Sequence, residues 1–221
     1  MNLTGALLPA TWHWPALMAF AALLLHAAYS APWQVLKDPS RLHAWLGSIV
    51  FLLMLWMMRA GIEPGLGFHL LGATAMTLMF GPHLGLIAMS LVVAGAAAAG
   101  TIEAASIPIN ALLMGAVPIA VSLGILRAVE RWLPDHFFVY IFGVAFFGGA
   151  IAMVATGLAA SGLLVAVGAY PFDYLRTDYL PWYLLMSWAE AFTTGGALTL
   201  LVVYRPQWVS TFDDARYIAG K

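Results

Sequence analysis

The sequence predicts an all-α polytopic membrane protein, a compact bundle of about seven transmembrane helices. Three observations predict it. The 221 residues are 63% hydrophobic and 9% charged, whereas an ordinary soluble domain carries roughly 25% charged residues. The apolar residues gather into runs near the ~20 needed to cross the hydrocarbon. Helices are the open-chain structure that satisfies every backbone group there. The formal net charge of -1 supplies no basic surplus for nucleic acid, which is excluded as a partner. Cysteine is absent, which removes disulfides, thiolate metal sites and cysteine nucleophiles.

The elements follow in order. The first Lys or Arg in the chain is Lys37, so the opening MNLTGALLPATWHWPALMAF lacks a basic signal region and is expected to be retained. It is not clearly amphipathic, so a crossing over 12–30 fits better than an interfacial helix. Further crossings are expected over 43–59, 65–81, 84–101, 106–126, 137–166 and 181–204. Within FGPHLG, Gly81, Pro82 and Gly85 interrupt one long apolar region, and two helices joined by a tight turn suit it better than one kinked span. The stretch 137–166 is too long for one straight crossing and must tilt, bend near Gly148 and Gly149, or run past the surface. Small residues in AGAAAAG at 94–100 and at Gly143, Gly148, Gly149, Gly157 and Gly162 let helix backbones approach closely. No repeat or linker divides the chain, so residues 1–221 are expected to form a single transmembrane domain.

Charge placement orients the bundle. With the amino terminus outside, Lys37, Arg41, Arg127, Arg131, Arg205, Arg216 and Lys221 fall inside, while Arg59 and Arg176 fall outside. Cytoplasmic loops carry the excess, so the carboxyl terminus is expected in the cytoplasm.

Few polar groups interrupt the apolar spans. Glu190 lies on the order of 15 Å into the last span by helix rise. It is either a functional carboxyl facing the bundle interior or a protonated structural one. Thr193 and Thr194, one turn onward, can join its network or bond back to their own helix. His69 opens the third span near the face shared with the amino terminus and with Glu103. Amine and imidazole nitrogens suit nickel, cobalt, copper or zinc, so nitrogen and oxygen donors can converge there. Asn110, a few residues into the fifth span, needs partners for its amide, either across a helix pair or in orienting an ion or cavity water. His26 and His83 fall on the opposite face and read as structural. His13 and His43 sit beside tryptophans at headgroup depth, and His136 lies in a charged loop.

The chain has neither a Walker A loop nor an H-E-x-x-H pair, and Ser161 in LAASGLL has no nucleophile-elbow context. It is therefore expected to bind no nucleotide and not to be an enzyme.

HLLGAT at 69–74 followed by MFGPHLGLIAMSLV, INALLMG at 109–115, EAFTTG at 190–195 and the opening MNLTGALLP together resemble the membrane substrate-binding component of cobalt and nickel energy-coupling-factor ABC transporters, the CbiM/NikM-type permeases. The resemblance covers nearly the whole chain. It implies uptake of a divalent transition metal as substrate, cobalt or nickel first and copper or zinc next, in a bacterial inner membrane. It also implies a separate transmembrane coupling protein and cytoplasmic ATPases as partners. In that family the metal is held by the terminal amine, by the amide and imidazole of a second-position histidine, and by a third-helix histidine. Carried over, this implicates Met1, Asn2 and His69. Asn2 brings no imidazole, and the family's second asparagine appears here as Leu113; the departures bear on ion identity more than on fold. The alternative reading is a membrane protein outside transport, either a redox subunit in which His26 and His43 or His83 bind haem, or a scaffold.

Overall fold

Helices carry the architecture of this computed structural model, which describes residues 3–58, 60–63 and 65–218. Helix α1 is Ala10–Ser30 and α2 is Pro39–Met57, whose start is fixed by Pro39 and by the Asp38 side chain accepting from the Ser40 amide. Proline costs nothing at a first helical turn, and the aspartate satisfies an amide that the helix leaves unpaired. Strands β1, Ala60–Glu63, and β2, Leu66–Phe68, pair antiparallel with Ala60 opposite Phe68 and Gly61 opposite Gly67. The helix Ala73–Ala98 breaks at Gly81 (φ 80°, ψ 169°), giving α3 over 73–80 and α4 over 82–98. Ile107–Ala111, Leu112–Ala116 and Val117–Trp132 run on as α5. Val139–Ala166 is α6 and Phe172–Tyr204 is α7. A short helix α8, Asp214–Tyr217, follows.

The chain is thus an all-α membrane bundle of seven helical rods of eight or more residues among those described, with a small hairpin inserted. Five of its helices, counting Ala73–Ala98 as one, are long and apolar enough to cross a membrane. Helix α1 is long enough, but His13, Pro15 and His26 dilute its hydropathy. Side chains such as Phe51, Met54, Trp188, Phe192 and Leu200 face outward, while Leu71, Leu78, Leu84, Met89 and Met114 fill the interior.

The crossing expected over 65–81 is not a spanning helix. Its first eight residues are strand and loop, and α3 covers only about 12 Å at 1.5 Å per residue, against ~30 Å of hydrocarbon. Turn chemistry won over hydropathy there: Gly65 and Gly72 both take positive φ, which favours glycine because it has no Cβ. The tight turn expected in FGPHLG does form, and it reverses the chain. A Cβ on Gly85 would sit 3.4 Å from the Met76 carbonyl oxygen, although nine residues of straight helix would separate the two by about 14 Å. Helix α2 records the reversal, since Trp56 bonds the Leu71 carbonyl and Trp45 the Leu84 carbonyl, while Gly95 lies back against Leu53.

The long stretch 137–166 does not bend at Gly148 and Gly149. Instead it winds wide over Val139–Phe146 and then continues as ordinary helix. Its glycines serve close packing against α7, with Gly149 beside Thr194 and Gly157 under the Tyr183 ring, where a Cβ would come within 2.4 Å of Cγ.

Candidate functional site

The hairpin delivers His69 into the bundle. Strand β1 is exposed while Leu66 and Phe68 on β2 are buried. Phe68 enters an aromatic socket at the start of α7, with ring centroids 5.2 Å from Tyr179 and 5.6 Å from Tyr183. Those two tyrosines bond each other, Oη to Oη, at 3.1 Å. His69 follows at once, 3% exposed, its ring 4.4 Å from that of Trp56 and its Nδ1 2.9 Å from the Leu70 carbonyl oxygen. A donating Nδ1–H places the ring's lone pair on Nε2, the nitrogen then suited to a metal.

The backbone beyond His69 is held from two helices. Trp56 Nε1 donates to the Leu71 carbonyl at 3.3 Å. Across the bundle, Glu190 accepts the Leu71 amide at Oε2 and the Gly72 amide at Oε1, both at 2.8 Å. Glu190 is 2% exposed. Its carboxyl group holds the two residues that lead into α3, at the end of the helix where the dipole is positive. Glu190 therefore clamps the entry to α3, and Thr194 reaches the same Oε1 at a long 3.5 Å. Of the two threonines expected either to join this network or to bond back to their own helix, Thr194 is the one that reaches Glu190; Thr193 faces elsewhere. It is exposed and lines an apolar cavity of about 420 Å³ between α2, α3 and α7, which Leu70, Gly72 and Glu190 also border.

Asn110 settles its amide differently from either expectation. Its Oδ1 accepts the Leu3 amide at 3.0 Å, and its Nδ2 donates to the Leu3 carbonyl at 2.9 Å and to the Ser106 carbonyl at 3.0 Å. One side chain thus pairs with both backbone groups of a residue 107 positions away, as a neighbouring strand would. Glu103 accepts the Gly5 amide at 2.6 Å, so both polar residues of this region dock the amino-terminal segment. Leu3 is 1% exposed. Met1 and Asn2 lie outside the described residues. No cluster of three or more His, Asp or Glu side chains forms among the described residues.

Sequence reasoning missed Trp56, the aromatic socket and the hairpin. Gly61, Gly65 and Gly67 around Pro64 were the signal for the hairpin; the tryptophan and the tyrosines carried none, being ordinary residues for membrane helices.

The chain resembles solved structures over almost its full length. A truncated transition metal transporter superposes with a TM-score of 0.80 at 19% identity, covering 92% of this chain and 99% of that one. A second transition metal transporter gives 0.78 at 19% identity, covering 91% and 92%. No curated protein matches the chain. The family described as the cobalt uptake substrate-specific transmembrane region, CbiM, matches residues 2–208. With that match spanning nearly all of the sequence, and the shared fold behind it, the chain belongs to the CbiM family of cobalt uptake membrane components.

Proposed function

We propose that this chain is the substrate-binding permease of a bacterial inner-membrane uptake system for a divalent transition metal, cobalt or nickel in character, with the amino terminus outside. Met1 supplies its terminal amine, Asn2 its backbone amide and His69 its imidazole. The observation that carries the reading is the docking of the segment just after those two residues: Leu3 is held on both backbone groups by Asn110 and Gly5 by Glu103. With Leu3 and Gly5 tethered in this way, less chain remains to be ordered when an ion is gripped by the two residues before them. Imidazole, amine and amide donors favour late first-row ions over magnesium or calcium.

In this reading Glu190 orients rather than ligates. It fixes Leu71 and Gly72, hence the backbone that presents His69, much as outer partners hold metal-ligating histidines. Thr194 supports the carboxylate, Thr193 borders the neighbouring cavity, and separate coupling and ATPase subunits supply the energy for release. The two solved structures that the chain resembles, both of transition metal transporters, support the substrate class. Metal analysis of protein with a native, untagged amino terminus tests the proposal. One divalent ion per chain is expected, and His69→Ala should abolish its retention. Equal stoichiometry in that variant removes His69 from the site.

A further inference from the structure

His26 and His83 are 57 positions apart in sequence, yet the fold brings their rings together, with centroids 5.6 Å apart and planes at 69°. His26 stands about one turn before the end of α1. His83 begins α4, two residues past the break at Gly81. Among the described residues this ring contact is the one partner found for either imidazole. Both rings reach the surface, His83 in part and His26 more fully. They lie at the far end of α3 from His69, about 12 Å of helix away.

We propose that His26 and His83 form a second, weak binding site for a divalent transition-metal ion, at the opposite end of α3 from His69. A metal bound to two imidazoles at about 2.0–2.1 Å from each nitrogen holds the rings at a separation close to the one seen, so turning the rings about their side-chain torsions brings a nitrogen of each onto a common ion. Two imidazole nitrogens as ligands select nickel, copper, cobalt or zinc over magnesium and calcium. With two protein ligands and water completing the shell, the ion exchanges readily, which suits a station that receives an ion and passes it on.

The site stands independently of the ligand scheme at His69, and one experiment separates them. The full, untagged chain in nanodiscs is titrated with nickel chloride by calorimetry. Two classes of site are expected. His69→Ala should remove the tight class and keep the weak one. Adding His26→Gln or His83→Gln to that variant should weaken the remaining class by roughly tenfold or more, since even loss of a supporting group around a ligand costs 10–100-fold. A weak class that is absent from His69→Ala, or unchanged by both glutamine variants, overturns the proposal. A weak class that tracks His26 and His83 with no tight class present leaves this site standing and defeats the His69 scheme. As a check that needs no variant, nickel should slow diethylpyrocarbonate modification of His26 and His83 in the wild-type protein, and unchanged rates overturn the site.

Discussion

The two ends of the eight-residue helix α3 face the same problem and solve it with different groups. A helix leaves unpaired amides at its start and unpaired carbonyls at its finish, and α3 is too short to hide either end beyond the bilayer. At the start, beside His69, the Leu71 and Gly72 amides are satisfied by one buried side chain, Glu190. At the finish, beside Gly81, the carbonyls of Leu78 and Met79 are satisfied by the backbone of the tail. Ser210 N donates to Met79 O at 3.0 Å and Thr211 N to Leu78 O at 3.3 Å. Thr211 Oγ1 adds a bond to Leu78 O at 2.9 Å and accepts from the Tyr140 hydroxyl at 2.6 Å. Both solutions come from α7 and the tail that follows it. The difference is that the first end rests on one carboxylate, while the second is spread over several modest bonds.

That difference predicts how each end breaks. Glu190→Ala should have the largest effect, since it leaves two buried amides without their acceptor. A buried donor left unsatisfied costs about 1–3 kcal/mol, so thermal unfolding in detergent should report a loss of about 2–6 kcal/mol for the two amides together with loss of bound metal. Glu190→Gln retains one acceptor and should lie between. Equal stability of all three proteins would show that the clamp is incidental. Gly72→Ala attacks the same end through the backbone. At φ 68° its new methyl would meet Leu52 Cδ2 at 2.2 Å, and strain of this kind costs about 1–3 kcal/mol. At the second end, Thr211→Val removes a hydroxyl and leaves the Tyr140 hydroxyl unpaired, a cost of about 1–3 kcal/mol. It should leave metal retention intact, because the His69 end is untouched. A variant that lost metal as completely as Glu190→Ala would mean the two ends act as one unit.

The smallest expected effect lies farther along the tail. Arg216 bridges Glu130 and Asp135 at 2.8 Å each. Beside it Tyr217 packs on Tyr140 and Phe212. Burial, helped by Glu130 and Asp135 and opposed by Arg216, pushes the Tyr217 hydroxyl from 10.0 up to about 12. A folded-state value above the unfolded one means this contribution to stability is complete below pH 10 and fades as pH rises through about 12. Limited proteolysis of the tail should therefore accelerate across that interval, and a Tyr217→Phe variant should not share the change.

Much of the architecture was readable from local pattern. The apolar runs located α1, α2, α4 and α6 closely, while α5 runs on to Trp132 and α7 begins at Phe172, nine residues before the expected start. Gly81–Pro82 marked the reversal because both residues act on their own torsions. Hydropathy misled at 65–72, where Leu66, Phe68, Leu70 and Leu71 look like a helix interior but belong to a buried strand and loop. The glycines at 61, 65 and 67 were the contrary signal. The site was legible in part. Glu190 and Asn110 stood out because a buried polar group must have a partner, but nothing adjacent to them named it.

Composition and neighbouring residues alone determined that this chain lives in a membrane as a helical bundle, where it must turn sharply, and which side chains would be costly if left unpaired. Those properties belong to transfer free energy and local backbone torsion, both of which are set within a few residues. Only the tertiary structure decided that the carboxylate of Glu190 answers amides 119 and 118 positions away, that Asn110 answers Leu3 across 107, and that His26 meets His83. Such partners are fixed when distant segments pack, because hydrogen bonds and ring contacts act over a few ångströms in space and are indifferent to separation along the chain.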